Sequence, residues 1–271
     1  MSGDIIGELV IDVAKSEILP RYNNLKEADI AAKSPGDMVT IADLAAEKAL
    51  TRALKREYPT AIIGGEESIS EAPNLLAEIT TADHAFLIDP VDGTNNFIKG
   101  DPRFALMLTE LRKGQVEAAW IYLPVTEKLA SARKGEGARL NDRKVVTLAP
   151  TFEPAKMVAA AHLKRFPPEI RCLAEHNLKD FKENRPAFCA GHDYIMLLEG
   201  AKDFSVYYRT LPWDHLPGGF IFTEAGGYVR TLFDQKKYRI GIQDKGLLSA
   251  PSEALWHKIR QSVFPDRFTR S

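Results

Sequence analysis

The sequence predicts an α+β fold, and three features of its texture carry that prediction. Residues 4–19 and 41–57 place apolar side chains at helical spacing. Between residues 61 and 133 the pattern changes to short apolar or alternating runs separated by turn residues, as antiparallel strands require. The second half mixes both textures again, which favours α+β over a strictly alternating arrangement.

Each element follows from local chemistry. In residues 4–19 the helical stripe is Ile6, Leu9, Val10, Val13 and Ile18, and Pro20 kinks or ends it. Lys33-Ser34-Pro35-Gly36 is loop chemistry. In residues 41–57, Leu44, Ala45, Leu50 and Leu54 are expected on the buried face, Glu47, Lys48, Lys55 and Arg56 on the others, with Pro59 closing the helix. Ala61-Ile62-Ile63 and Ala85-Phe86-Leu87-Ile88 are short apolar runs that end in acids. Residues 104–111, 116–122 and 129–133 read as antiparallel strands, with Gly114, Pro124 and Asn141-Asp142 as turn signals. Residues 158–161 suit a strand and 168–178 a helix. A helix is expected from Asp193, as N-cap, to Gly200, and another from about Asp214 to Gly226-Gly227. Ser252 caps a last helix carrying Leu255, Ile259 and Val263. Pro150 and Pro154 suggest a boundary near 147–153, dividing the chain into halves 1–148 and 149–271.

Composition narrows the function classes. Apolar residues are 45% and charged residues 27%, ordinary for a soluble globular protein, and 271 residues bury a core without staples. Lys+Arg (36) nearly balances Asp+Glu (37), so no excess of one sign marks a nucleic-acid or membrane-surface partner. Cys172 and Cys189 form no Cys-x-x-Cys pair and are expected to be reduced thiols rather than zinc ligands. The six histidines form no His-x-His or His-x-x-x-His pair. No basic n-region precedes an apolar block and no apolar run reaches membrane-spanning length, so the expected location is the cytoplasm.

Three acid clusters stand out because each follows apolar residues: Gly64-Gly65-Glu66-Glu67-Ser68, Asp89-Pro90-Val91-Asp92-Gly93-Thr94 and Trp213-Asp214. Leu87-Ile88 should be a buried strand, so Asp89 stands where that strand reaches a surface. A buried carboxylate is costly unless a cation or hydrogen bonds satisfy it. Pro90 holds Asp89 extended, and a tight turn could aim Asp89 and Asp92 at one point. Gly93 permits backbone geometry that other residues resist. If a helix follows, the free N–H groups at Gly93 and Thr94 point at an anion. One short segment thus offers hard oxygen ligands for Mg²⁺ and a cradle for phosphate. Taken alone, Asp-x-x-Asp-Gly reads rather as a surface turn, Glu66-Glu67 as solvated acids and Asp214 as a helix cap; the full string after an apolar strand reverses the first.

Together the clusters resemble the inositol monophosphatase family. Asp89-Pro90-Val91-Asp92-Gly93-Thr94-Asn95-Asn96-Phe97 is similar to its first motif, and Trp213-Asp214 through Glu224-Ala225-Gly226-Gly227 to its second. Gly65-Glu66-Glu67-Ser68, Asp37-Met38-Val39-Thr40-Ile41-Ala42-Asp43 and a Gly-x-Gly-Ala-like hairpin at 135–141 stand in the family's order. The resemblance implies a layered α-β-α-β-α sandwich, like that of fructose bisphosphatase, assembled as a homodimer. It implies two to three Mg²⁺: one held by Glu66, Asp89 and the Val91 carbonyl, a second by Asp89, Asp92 and Asp214, and a third placed with the help of Glu66. Catalytic roles fall to Glu66, Asp43 and Thr94, the last two orienting the attacking water. Substrate contacts fall to Val91, Asp92, Gly93, Thr94, Ala190 and Asp214. Glu67 is expected to support a ligand rather than be one. Lys33 lies near the family's loop lysine, one residue short of its spacing to Asp37. Lithium sensitivity is also implied.

The resemblance departs at the leaving group. Tyr207 stands seven positions before Asp214, where inositol-cleaving members carry an acid, and Phe188-Cys189-Ala190-Gly191 replaces the family's Gly-Ser/Thr-Ala-Ala. Leu216-Pro217 replaces a small pair. Tyr207, Tyr208 and Arg209 suit an aromatic or anionic leaving group, or pack in the core or a dimer interface. The expected function is Mg²⁺-dependent hydrolysis of a small phosphate monoester of the inositol monophosphate or related sugar or polyol type. Alternatives are fructose 1,6-bisphosphate, histidinol phosphate or a nucleotide 3′-phosphate, or a regulatory role through protein binding. The expected partner is therefore a small phosphate monoester, with no direct nucleic acid and no membrane.

Overall fold

The structure is a computed structural model that describes residues 4–34, 37–242 and 245–265. Helix α1 (Ile5–Val13) starts at Asp4, whose side chain accepts from the Gly7 N–H. It continues as one π-helical turn, Ala14–Ile18, and a 3₁₀ turn, Leu19–Arg21, that holds Pro20. Strands β1 (Ile30–Ser34) and β2 (Asp37–Thr40) pair antiparallel. Lys33 and Ser34 therefore belong to a strand rather than the expected loop, and Pro35 and Gly36 lie outside the described residues. Helix α2 (Ile41–Glu57) is capped by Thr40 with Asp43 completing a capping box. Its buried face differs from expectation. Leu44 is exposed and Ala45 half-buried, while Ala42, Asp43, Ala46, Glu47, Leu50 and Leu54 are buried. Hydrophobicity misplaced the stripe because Asp43 and Glu47 have polar partners inside.

Next come β3 (Ile62–Gly65), the short helices α3 (Glu66–Glu71) and α4 (Asn74–Thr81), β4 (Ala85–Asp92) and the one-turn helix α5 (Thr94–Ile98). An antiparallel meander follows: β5 (Ala105–Arg112), β6 (Gln115–Leu123), β7 (Lys128–Arg133), β8 (Gly137–Leu140) and β9 (Arg143–Val145). The second part contains β10 (Val158–Ala161), α6 (Pro168–Asn177), β11 (Glu183–Asn184), α7 (Ala190–Leu198), β12 (Phe204–Tyr207), α8 (Pro212–Glu224), β13 (Tyr228–Thr231), β14 (Leu247–Ala250) and α9 (Glu253–Val263). Helix α7 begins at Ala190 with Cys189 as N-cap, not at Asp193, which lies inside the helix and is buried. Helix α8 continues through Pro217.

β3 to β9 form a seven-stranded sheet in sequence order, and β11-β10-β12-β14-β13 a five-stranded one. Alternation on the strands defines the layers. Phe86, Ile88, Leu106, Leu108, Trp120 and Tyr122 pack on Val10, Leu50 and Leu54 of α1 and α2. On the opposite face, Met107 and Ile121 pack with Tyr194, Ile195, Ile221 and Phe222 of α7 and α8. Those two helices also meet Tyr207, Val229 and Leu247 of the second sheet. The far side of that sheet, Phe204, Val206 and Leu248, covers Ala174, Leu255, Trp256 and Ile259 of α6 and α9. The order is therefore α-β-α-β-α, as the resemblance implies. The middle layer is thin: a Cβ on Gly218 of α8 would stand 1.9 Å from the Tyr194 ring, so only glycine lets α7 and α8 approach this closely. Among the described residues no helix is long and apolar enough to cross a membrane.

Candidate active site

Strand β4 brings two acids to one face by breaking its own period. Residues three apart on a strand point to opposite faces. Here Asp89 pairs with Met107 and Asp92 with Ala105, so three steps on β4 match two on β5. The extra residue is a bulge beside Pro90, which has no N–H to give the ladder. Phe86, Ile88 and Val91 therefore face α1 and α2, whereas Leu87, Asp89 and Asp92 face away from them. Gly93 then turns the chain at φ +85°; a Cβ there would lie 3.0 Å from the Arg103 carbonyl oxygen and from the Cys189 Cβ.

Glu66 arrives from the neighbouring strand. β3 runs parallel to β4 with Gly65 opposite Ile88, and Glu66 opens α3. The first turn of α3 is held by Glu47 of α2, which accepts from the Glu67 N–H and the Ser68 N–H, both at 2.9 Å. A buried carboxylate on a helix N-terminus satisfies donors that the helix leaves free. Replacing it strands both N–H groups, so Glu47→Ala is expected to lower the unfolding free energy by about 1–3 kcal/mol. Urea titration checks this, and an unchanged midpoint would show that α3 does not depend on the cap.

Glu66, Asp89 and Asp214 each offer an oxygen within 4.8 Å of the others. Asp214 sits in the first turn of α8. Asp89 is 2% exposed, and its Oδ1 has no hydrogen-bond partner among the described residues. Burial, then the charges of Glu66, Asp92 and Asp214, push the Asp89 carboxyl well above the usual range. Burial and then Asp92 and Glu66 do the same to Asp214. Asp92 is also raised by burial, against hydrogen bonds that lower it: its Oδ2 accepts from Gly191 N at 2.6 Å and Cys189 Sγ at 3.0 Å, and the Ala190 N–H points to it as well. Asp92 thus stands apart from the trio, tied to the N-terminus of α7 through Ala190 and Gly191.

Lys33 reaches into this cluster, with Nζ 2.6 Å from Glu66 Oε1 and 2.9 Å from Glu67 Oε1. Burial alone would lower its pKa, but Glu66 and Glu67 more than offset that and hold it above the ordinary lysine value. Burial raises the Glu67 carboxyl to about 7 despite that contact. One ammonium does not balance Glu66, Glu67, Asp89, Asp92 and Asp214. A divalent cation fits the remaining charge, and an all-carboxylate donor set is hard-oxygen chemistry of the kind such cations take.

Asp43 and Thr94 meet on the other side. Asp43 Oδ2 accepts from the Thr40 N–H at 2.8 Å and hydroxyl at 2.6 Å, so the helix cap uses one oxygen. Its Oδ1 lies 3.3 Å from Thr94 Oγ1, which is also 3.0 Å from the Val91 carbonyl. Burial raises Asp43 to about 6, against the Thr40 hydrogen bonds.

The family model for the inositol monophosphatase family matches residues 5–263. The chain belongs to the inositol monophosphatase family. The match runs from the first residue of α1 to the last of α9, so every acid of the site lies inside it. Nus factor SuhB of Pasteurella multocida is 29% identical over 225 residues, covering 80% of each chain. Inositol monophosphatase 1 of Bos taurus is 26% identical over 268 residues, covering 95% of this chain and 89% of its own. Among solved structures, the suhB protein of Bartonella henselae superposes with a TM-score of 0.82 at 24% identity, covering 96% of this chain and 99% of its own. That likeness shows the fold.

In this family member, of the two tyrosines singled out at the leaving-group side, Tyr207 is internal and Tyr208 half-buried. Tyr207 is buried and donates its hydroxyl to Asp193 Oδ2 at 2.9 Å. Tyr208 packs against Phe166, ring centroids 4.8 Å apart, beside the α6/α9 layer. Asp193 is the hub of an unforeseen buried cluster. It pairs with Lys202 Nζ, contacts His162 Nε2 at 2.6 Å and accepts from the Ala187 N–H at 3.1 Å. Burial would raise its pKa, but His162 and Lys202 outweigh burial and hold it below the ordinary value. Asp193 as an N-cap fails because these partners pull it inward. Lys33, Glu47, Asp193 and Phe188 are the residues that sequence reasoning missed or left at the margin. For Glu47 the available signal was an acid one helical turn after Asp43 on a buried face.

Proposed function

We propose that this chain hydrolyses a small phosphate monoester with the help of Mg²⁺. The carrying observation is the convergence of Glu66, Asp89 and Asp214 beside the Asp43–Thr94 pair. Glu66, Asp89 and the Val91 carbonyl would hold one ion, Asp89, Asp92 and Asp214 a second, with Glu66 helping to place a third. Bound there, Mg²⁺ supplies neutralisation of phosphoryl charge and a lower pKa for the attacking water. The chain's own groups do the rest. The Thr94 hydroxyl has one proton and two acceptors, Asp43 Oδ1 and the Val91 carbonyl. Its lone pairs remain to accept from a water and orient it. The N–H groups at Gly93 and Thr94, where α5 opens, would bind phosphate oxygens. Ala190 would contact the substrate, beside the Asp92 carboxylate to which its N–H points. The reading carries a homodimer and lithium sensitivity with it.

The test is phosphate release by the purified protein with Mg²⁺ or a chelator. The panel is myo-inositol 1-phosphate, fructose 1,6-bisphosphate, histidinol phosphate and a nucleotide 3′-phosphate. Release from at least one, abolished by chelation and reduced by lithium, supports the reading; no release from any overturns it. Thr94→Val keeps the shape and removes the hydroxyl. Its kcat is expected to fall about a hundredfold with an unchanged melting temperature, measured by steady-state kinetics and thermal melts.

A second reading is favoured by the relatives named Nus factor SuhB: the chain acts mainly by binding other proteins. Asp92→Asn separates the two. Loss of phosphate release with full cellular function retained would favour the binding role.

A further inference from the structure

Phe188 is 63% exposed, a large ring that the fold leaves in solvent. Its φ is +57°, a conformation that a bulky side chain rarely adopts. Such strain persists where surrounding bonds over-determine the backbone, and it gathers at functional sites. Both conditions hold here. Asn96 Nδ2 donates to the carbonyls of Arg103, Ala187 and Phe188 at 2.7, 2.9 and 3.4 Å. The Ala187 N–H is tied to buried Asp193. The next residue, Cys189, places its thiol on Asp92. The exposed ring therefore stands one residue from the thiol that contacts Asp92.

The ring is not alone. It meets His162 edge-on, with centroids 5.6 Å apart at 86°, and His162 stacks on Tyr207 at 4.4 Å and 17°. Asp193 fixes the imidazole through Nε2 and the phenol through its hydroxyl. The Nε2 of His162 and the hydroxyl of Tyr207 are thus engaged inside the wall, and the exposed Phe188 ring offers its aromatic face and edges. The carboxylate of this wall, Asp193, is fully buried and fourfold bonded, so it does not present itself to a polyol hydroxyl.

We propose that Phe188 and His162 form the leaving-group wall of the site and select phosphate monoesters whose leaving group carries a planar aromatic ring. The inference rests on the phosphatase reading and adds the substrate class. Aromatic pairs prefer edge-to-face and offset geometry, beyond what apolar area alone supplies. A saturated ring of similar size therefore loses that part of the interaction.

The test compares 3-phenylpropylphosphonate with 3-cyclohexylpropylphosphonate, both resistant to hydrolysis, by calorimetric titration of the full chain in Mg²⁺. The phenyl compound is expected to bind about tenfold tighter, and the ratio to fall to about one in Phe188→Leu and Phe188→Ala. In parallel, release from 2-phenylethyl and 2-cyclohexylethyl phosphate is expected to differ in KM rather than kcat. A wild-type ratio near one overturns the inference whatever the variants do, and so does a ratio that survives both substitutions. Release from both esters with equal kcat/KM leaves the phosphatase reading standing and removes the aromatic selection. Neither binding nor release with any compound overturns both.

Discussion

Phosphate release by an Asp89→Asn chain is expected to fall by about a thousandfold or more, while the metal-free protein becomes more stable. Asp89 is buried, and its Oδ1 has no hydrogen-bond partner among the described residues. Its carboxyl is pushed up by burial and by Glu66, Asp92 and Asp214. Without a cation, ionised Asp89 is repelled by every acid around it; the amide removes that repulsion at nearly the same volume. With a cation, the same carboxylate is shared between proposed ion positions, and its loss removes about 4 kcal/mol of transition-state stabilisation. The opposite signs separate a functional acid from a structural one. Kinetics with Mg²⁺ and thermal melts with a chelator measure the two effects. A variant within tenfold of the parent rate would remove Asp89 from the ligand set, and a lower metal-free melting temperature would refute the repulsion account.

In the chelated protein, stability is expected to fall as pH rises from about 4 to above 7, and Mg²⁺ to remove most of that slope. The acids involved are raised in the folded state: Asp43 to about 6, Glu67 to about 7, and Asp89 and Asp214 well above their ordinary value. A carboxyl raised on folding binds its proton more tightly when folded. Its contribution is therefore complete below the unfolded pKa, near 4, and is lost as pH climbs through the folded value. For Asp43 alone the shift corresponds to about 3 kcal/mol. Mg²⁺ reverses the preference by binding the ionised forms. Melting temperatures across pH 4 to 8, with chelator and with Mg²⁺, provide the check. A flat profile in chelator would mean that the acids are not desolvated as packed here.

Much of the site was legible because its signals are local. The Ser252 cap lies beside the helix it opens, and it is formed. Asp89-Pro90-Val91-Asp92-Gly93-Thr94 showed its acids, its missing N–H and its turn glycine in one string. The bulge that puts Asp89 and Asp92 on one face is the structural form of that string. Leu44 and Glu47 were misassigned for the opposite reason. A helical stripe ranks residues by hydrophobicity, whereas Glu47 is buried because α3, twenty residues on, presents two N–H groups to it. Asp193 read as a cap because Asp commonly caps helices. Its real partners, His162 and Lys202, come from either side of α7.

The sequence alone determined the α+β class and the oxygen-donor acids in their order, because periodicity acts within a few residues; the layering came from the family resemblance. Only the tertiary structure decided that Glu66 from α3, Asp89 from β4 and Asp214 from α8 share one point. It also decided that Lys33 lies on Glu66, that Tyr207 turns inward and that Phe188 stays outside. Those outcomes depend on strand register and on layers packing across more than a hundred residues, and neither distance is written in any local pattern.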